Sequence, residues 1–406
     1  MPWTAAGAAA GIGTARACRR GRLTCPVDSP KGRPGVTDTI LITGGAGFIG
    51  RHLAHALLKK GHHVRVLDSF IAQVHGDRGQ DGLDPDVEVI RGDVRDGDLV
   101  RQALSGVDRV VHLAAEVGVG QSMYAVDQYV SVNDHGTAVL FQQLIAKPVR
   151  RVVVASSMSI YGEGLYRDAD GALIEDAVRQ PRSGAGASWD PLDAQRRPLV
   201  PLPTPEWKRP NLASVYAITK FTQERLTLTL APAYGMEGAA LRLWNVYGPG
   251  QALSNPYTGV LAIFAARLHG GQPPLIFEDG LQRRDFVHVE DVARAFMLAL
   301  EHPKASGEVF NIASGVDRTV QEVAADLARA MSRPDIAPLI TGKARIGDIR
   351  HNIADITKAR TALGYAAQRL DFTADLAELA EWVARQQVKD RVGQARSELE
   401  ARGLVA

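Results

Sequence analysis

The sequence predicts an α/β protein built on a doubly wound parallel sheet, with a smaller α/β part after it. Three observations carry that prediction. Short apolar runs alternate with segments of helical spacing from Ile40 to Ser157. The first run passes at once into glycines, "TGGAGFIG", and then into a helix pattern. The second run ends in an acid, Asp68. Strands covered on both faces read as continuous apolar runs, and strand–helix alternation is what crossover helices over a parallel sheet require.

In order, Ile40–Thr43 reads as the first strand and "RHLAHALLKKGH" as the first helix, stopped at Gly61. "HVRVLDSF" is the second strand, "VEVIRGDVRD" the third, "LVRQALSGV" a helix and "RVVHLAA" the fourth strand. "VNDHGTAVLFQQLIA" is helical and "RRVVVASS" is the fifth strand. Residues 163–210 are rich in Pro, Gly, Arg and Asp without a sustained period, so an irregular insertion is expected there, ending in the stiff "PLPTPEWKRP". A helix then carries "SVYAITK", and "GAALRLWNVYG" returns the chain to the sheet. Helices follow near "GVLAIFAARLHGG", "TVQEVAADLARAM" and "FTADLAELAEWVARQQ", with a strand at "FNIAS". From Lys389 the chain turns charged, and a frayed helical tail is expected over 389–406.

The 406 residues suffice for two domains or one large interleaved one, and the composition, 45% apolar and 23% charged, is that of a globular protein. The net charge of +2 is unevenly spread. Residues 1–36 hold six Arg or Lys against one Asp, which leaves the rest mildly acidic. A nucleic-acid surface is therefore not expected. No run reaches the ~18 apolar residues that span a bilayer, so no membrane partner is expected either. Both cysteines, Cys18 and Cys25, fall in residues 1–36, so the body uses no thiol nucleophile, disulfide or thiolate metal site. That leader lacks the apolar core of a secretory signal and reads as an unstructured extension carrying free thiols in a reducing cytoplasm.

The glycines Gly44, Gly47 and Gly50 sit between a strand and a helix. Such spacing allows a tight turn, a close approach of backbone to a pyrophosphate, and close helix–sheet packing, with the phosphates on the helix N-terminus. Asp68, about 20 residues on, is placed to accept hydrogen bonds from the adenosine ribose. It would repel a 2′-phosphate, so the reading is NAD rather than NADP. Asp93, after the third strand, is placed to meet the adenine amino group. HxxH at His52 and His55 lacks the Glu and third ligand of a zinc protease, and no metal site is read.

Tyr216 and Lys220 are four residues apart and share a helix face. "TGGAGFIG", "LDSF", "GDVRD", "VVHLAA", "SVNDHGT", "SSMSIYG", "SVYAITK", "LRLWNVYGPGQ" and "RRDFVHVEDVARA" resemble, in this order, the motifs of the NAD-dependent epimerase/dehydratase family of extended short-chain dehydrogenases. The resemblance spans roughly residues 38–385. It implies a Rossmann-type NAD-binding domain over 37–244 and a smaller, interleaved substrate domain over 245–388. It implies a catalytic set of Ser157, Tyr216 and Lys220, with Tyr216 as the base. Lys220 and the oxidised nicotinamide favour its phenolate, and Ser157 holds the reacting oxygen. Phe48, Ile49, Val94, Leu113, Ala114, Ala115 and Asn133 would join the glycines, Asp68 and Asp93 around NAD. Ser122, Asn245, Arg284, Arg345 and Asp348 would hold a nucleoside-diphosphate sugar. A homodimer paired through the "SVYAITKFTQERLTLTL" helix is also implied.

Dehydratases of this family carry an Asp–Glu pair after the catalytic Ser or Thr. Here Met158 and Ser159 follow instead, so the expected reaction is 4-epimerisation: C4 is oxidised and the hydride returns to its other face. "GEGLY" with its polar insertion and "GDIRHNIAD" resemble 4-epimerases of dTDP-L-rhamnose. Asn352 stands where UDP-hexose 4-epimerases gate sugar size. A UDP-hexose 4-epimerase, a net nucleotide-sugar oxidoreductase and an NAD-binding sensor are the alternatives.

Overall fold

The computed structural model describes residues 37–76, 79–80, 82–179, 188–345 and 347–405. The expectations for the leader, Cys18 and Cys25 included, lie outside these. Sixteen strands are present among the described residues. In chain order they are β1 (Thr39–Thr43), β2 (His63–Asp68), β3 (Glu88–Arg91), β4 (Arg109–His112), β5 (Arg151–Ser157), β6 (Leu165–Arg167), β7 (Leu173–Ile174) and β8 (Val200–Thr204). Then come β9 (Glu237–Leu243), β10 (Asn245–Tyr247), β11 (Leu275–Ile276), β12 (Arg283–His288), β13 (Val309–Ile312), β14 (Asp317–Thr319), β15 (Leu339–Ile340) and β16 (His351–Ala354). The helices used below are α1 (Phe48–Lys59), α2 (Gly97–Ala103), α3 (Gly136–Ala146), α4 (Val215–Ala233), α5 (Val260–His269), α6 (Val289–Glu301), α7 (Val320–Ala330), α8 (Phe372–Ala384) and α9 (Val392–Ala401).

The first sheet has the order β13-β9-β5-β4-β1-β2-β3, every neighbour parallel. This is the Rossmann-type doubly wound sheet. Alternation along β1 divides its two faces. Ile40 and Ile42 pack with Leu53 and Leu57 of α1 and Phe296 of α6, while Leu41 packs with Val100 of α2 and Leu140 and Leu144 of α3. A third cluster joins α5, α7 and α8 through Phe264, Leu327, Phe372 and Leu379.

The second sheet, in the order β10-β12-β16-β8-β6-β7, overturns the expectation of an irregular insertion. Residues 163–210 supply β6, β7 and β8. These strands are two to five residues long, and β8, "VPLPT", carries two prolines, so no period shows in the sequence. They are fixed from afar: β8 pairs in parallel with β16, Ile353 opposite Pro203. Arg350, wholly buried, donates to Asp190 at 2.7 Å and to Glu278 at 3.1 Å. The expected tail is also structured, since α9 is a helix and Val405 bridges Arg345 in antiparallel fashion. One residue, the buried Trp244, separates β9 of the first sheet from β10 of the second.

Candidate active site

The strand order of the first sheet reverses between β1 and β4, and ligands bind open parallel sheets beyond the carboxyl ends at such a point. Gly44 leaves β1 with φ +68°, and a Cβ there would stand 2.7 Å from the Ala114 backbone nitrogen. A Cβ on Gly50 would stand 2.4 Å from the Gly45 carbonyl oxygen. Glycine is therefore what lets the loop, the β4 end and α1 close together. No side chain caps α1 at Gly47, which leaves that helix end suited to an anion. Asp68 accepts from the Ala46 amide at 3.0 Å and the Phe70 amide at 2.9 Å, with His75 Nε2 at 3.3 Å, so it ties the glycine loop to β2.

A cavity of about 820 Å³ runs from this loop to the second sheet. Its lining holds the glycine loop, Asp68, Asp93 and Val94, then Leu113 to Ala115, Ser157, Tyr216 and Lys220, and finally Asn245, Arg284, Arg345 and Asp348. Two residues of the expected set do not line it. Asn133 is buried behind, where its amide group bonds the Glu116 backbone at 2.7 and 3.1 Å and Thr219 Oγ1 at 2.9 Å. Ser122 turns its hydroxyl back to the Val119 carbonyl at 2.7 Å. Asn352 is also absent from the wall: it is wholly buried in β16 and its amide donates to the Met158 and Gly162 carbonyls.

Local folding explains where the expected catalytic set stands. Ser157 ends β5 and caps the Met158–Tyr161 turn, accepting from the Ser159 amide at 3.1 Å. Ser214 caps α4 through the Ala217 amide at 3.1 Å. From there Lys220, Gln223, Glu224 and Thr227 fall on one buried face. Each is partnered, as buried polar groups must be. Burial raises the Tyr216 phenol, and a hydrogen bond with Ser157 opposes that. Burial takes Lys220 down to about 7, with Glu224 opposing.

Lys220 Nζ donates to Gln223 Oε1 at 2.6 Å. The Gln223 amide nitrogen in turn lies 3.1 Å from His112 Nε2 and 3.0 Å from Thr137 Oγ1. Burial holds His112 down to about 3, so this ring is neutral, with Nδ1 2.7 Å from Thr43 Oγ1. Lys220, expected to favour the Tyr216 phenolate as a nearby cation, here gives its hydrogen bond to Gln223. Sequence reading missed Gln223; only its position three residues after Lys220, on the same face, signals it.

At the far end, Arg345 makes a two-pronged pair with Asp348 at 2.9 and 3.0 Å and lies 4.6 Å over the Phe277 ring. Arg284 donates to the Arg283 and Arg350 carbonyls, each at 2.9 Å, and to the Ile349 carbonyl. Asp93 is taken up by Arg95 at 2.6 and 2.9 Å.

The chain matches the family model described as NAD dependent epimerase/dehydratase over residues 40–184 and 200–313. It is 32% identical over 353 residues to a dTDP-L-rhamnose 4-epimerase of Burkholderia thailandensis, covering 86% of this chain and 95% of that protein. Among solved structures, a UDP-glucose 4-epimerase of Thermotoga maritima with UDP-glucose superposes with a TM-score of 0.68 at 30% identity, covering 85% of this chain and 98% of that one. A Thermus thermophilus UDP-glucose 4-epimerase complex with NAD gives a TM-score of 0.67 at 28% identity, covering 86% of this chain and 100% of that one.

Proposed function

We propose, for a chain that belongs to the NAD-dependent epimerase/dehydratase family, the activity of a nucleotide-sugar 4-epimerase acting on dTDP-L-rhamnose. The observation that carries the reaction type is the set Ser157, Tyr216 and Lys220 on one cavity with Arg284 and Arg345, while Met158 and Ser159 offer no carboxylate for dehydration. The sugar is supported by the likeness to the Burkholderia thailandensis protein. The likeness to the Thermotoga maritima structure favours a second reading, a UDP-hexose substrate.

The glycine cradle, the uncapped start of α1 and Asp68 fit a dinucleotide. NAD is the cofactor, and when bound it supplies the hydride acceptor and donor for C4. Gly44, Gly47 and Gly50 would admit its pyrophosphate, Asp68 its adenosine ribose and Lys220 its nicotinamide ribose. Tyr216 removes the proton of the sugar hydroxyl and later returns it. Ser157 holds the reacting oxygen against Tyr216. Arg284, Arg345 and Asn245 fix the diphosphate, so that the sugar alone turns between the two half-reactions. Bidentate guanidinium–phosphate contacts suit that anchoring.

The test is incubation of the purified protein with dTDP-L-rhamnose, UDP-glucose and UDP-N-acetylglucosamine, without added cofactor, read by proton NMR. Conversion of the dTDP sugar to its C4 epimer is expected. Release of one reduced cofactor per sugar would instead make the protein a net oxidoreductase. No described helix is long and apolar enough to cross a membrane. A homodimer through α4 is part of the proposal, supported by the exposure of Ile218 on α4 and of nearby Val126 and Val130. Sedimentation at micromolar concentration checks it.

A further inference from the structure

The proposed mechanism leaves one wall of the cavity without a role. That wall is α9, the stretch expected to fray: Val392, Ala395, Arg396 and Leu399 line the same cavity as Lys220 and Arg284. α9 is fastened to both sides of the cleft. Glu398 Oε2 accepts from Tyr124 Oη at 3.0 Å and from Tyr257 Oη at 3.1 Å, and those two hydroxyls lie 2.6 Å apart. Tyr124 follows the Val119–Ser122 turn beyond β4, whereas Tyr257 leads into α5 of the substrate side. The hydrogen bond from Tyr124, with that from Tyr257, holds the Glu398 carboxyl below its usual range. Arg402 lies 4.3 Å over the Tyr124 ring.

The same segment grips the region of Arg345. Val405 bridges Arg345. Leu399 and Leu404 share a small recess with Arg345 and Asp348. Lys343 Nζ donates to Glu400 at 3.0 Å. Glu400 is also the partner of Arg396, whose Nε lies 3.0 Å from it one turn earlier on the helix. Arg396, from α9, thus lines one cavity with Arg284 and Arg345, and with Arg95 at the cofactor end. If Arg396 leaves Glu400, that carboxylate keeps Lys343, so no lone charge results.

We propose that α9 completes the nucleotide-sugar site and that Arg396 binds the substrate diphosphate, exchanging Glu400 for phosphate oxygens. The inference rests on the reading of the substrate as a nucleotide sugar. It makes Arg396 a binding residue, with an effect on substrate affinity and none on the acid–base step.

The experiment uses the full chain with its bound NAD and titrates dTDP and UDP by calorimetry, alongside steady-state kinetics on the sugar that is turned over. Arg396→Ala is expected to weaken the preferred nucleotide about tenfold, the scale of one charge-assisted hydrogen bond. KM should rise in step while kcat stays within about twofold and NAD content is unchanged. Arg396→Lys should recover part of the affinity, and Glu400→Gln should bind the nucleotide as tightly as the wild type or more so. Wild-type affinity in Arg396→Ala would overturn the proposal and leave the epimerase reading standing. Failure of the wild-type protein to bind either nucleotide would overturn the nucleotide-sugar reading itself, and this inference with it.

Discussion

Glu224 and Arg242 form a buried ion pair tied to Ser156, the neighbour of the proposed catalytic Ser157, and breaking it on one side should loosen what positions that residue. Arg242 Nε and Nη2 donate to the Glu224 carboxylate at 3.0 and 2.7 Å, and Ser156, the neighbour of Ser157, donates to it at 2.7 Å. Both side chains are buried, at 6% and 1% exposure. Glu224→Ala removes three acceptor contacts at once and leaves Arg242 with only the Tyr161 hydroxyl at 2.6 Å and the Glu206 carbonyl at 3.1 Å among described partners. An uncompensated buried charge costs about 3–5 kcal/mol, a large part of a typical domain's stability. Glu224→Gln keeps one acceptor oxygen but still strips Arg242 of its counter-charge, so a loss smaller than that of Glu224→Ala, yet above about 1 kcal/mol, is expected. The double change Glu224→Leu with Arg242→Met removes both charges and should cost less than Glu224→Leu alone, giving a coupling of at least ~2 kcal/mol in the cycle of wild type, Glu224→Leu, Arg242→Met and the double change. Equilibrium urea unfolding of the four proteins of the cycle, and of Glu224→Ala and Glu224→Gln, measures this. A loss below about 1 kcal/mol for Glu224→Ala, or strictly additive single changes, would refute the reasoning.

Tyr216→Phe should fold and retain NAD while turnover falls by about 10²–10⁴-fold, measured by NMR on the true substrate. Lys220→Met should be similarly slow at pH 7 but regain activity as pH rises. Burial already raises the Tyr216 phenol, and loss of the cation leaves it higher, so phenolate grows with pH; a flat profile would count against this. Native His112 stays neutral to about pH 3 while the unfolded chain takes up a proton near the ordinary value of 6.5. Its contribution is therefore lost as pH falls below 6.5, at up to about 1.4 kcal/mol per pH unit, and His112→Gln should lessen the acid sensitivity of unfolding. Asp68 should make the protein prefer NAD to NADP strongly, and equal affinities in a fluorescence titration would remove the ribose role given to it.

What the sequence showed well was local. The glycine loop, Asp68, and the Tyr216–Lys220 pair are each defined by spacing within one strand–turn–helix or one helix, and the cavity wall contains them. What it hid depends on partners far along the chain. Gln223 gains its meaning from His112, 111 residues away. β8 has no period of its own and is a strand because β16 lies beside it. α9 carries Arg396, Glu398 and Glu400 without a clear apolar stripe, and its place on the cavity wall appears only when Tyr124 and Tyr257 meet Glu398. Asn133 sits in the "SVNDHGT" motif and Ser122 before it, yet their side chains serve the backbone next to the cavity.

The joint at Trp244 bears on how the protein can be re-engineered. The indole is tilted against Tyr161 at 5.8 Å between ring centres, and the strands on either side of it belong to different sheets. β13 then carries the chain back to the first sheet and β16 out again. The two sheets are therefore woven, and no single cut frees one from the other. A new sugar specificity cannot be installed by swapping a C-terminal module at residue 244, because the graft would arrive without its own β6–β8 and its β13 would have to pair with a foreign β9. Exchange has to follow the weave: the 163–210 strands, the Arg345–Asp348 segment and α9 travel as one set, although they are scattered along the chain.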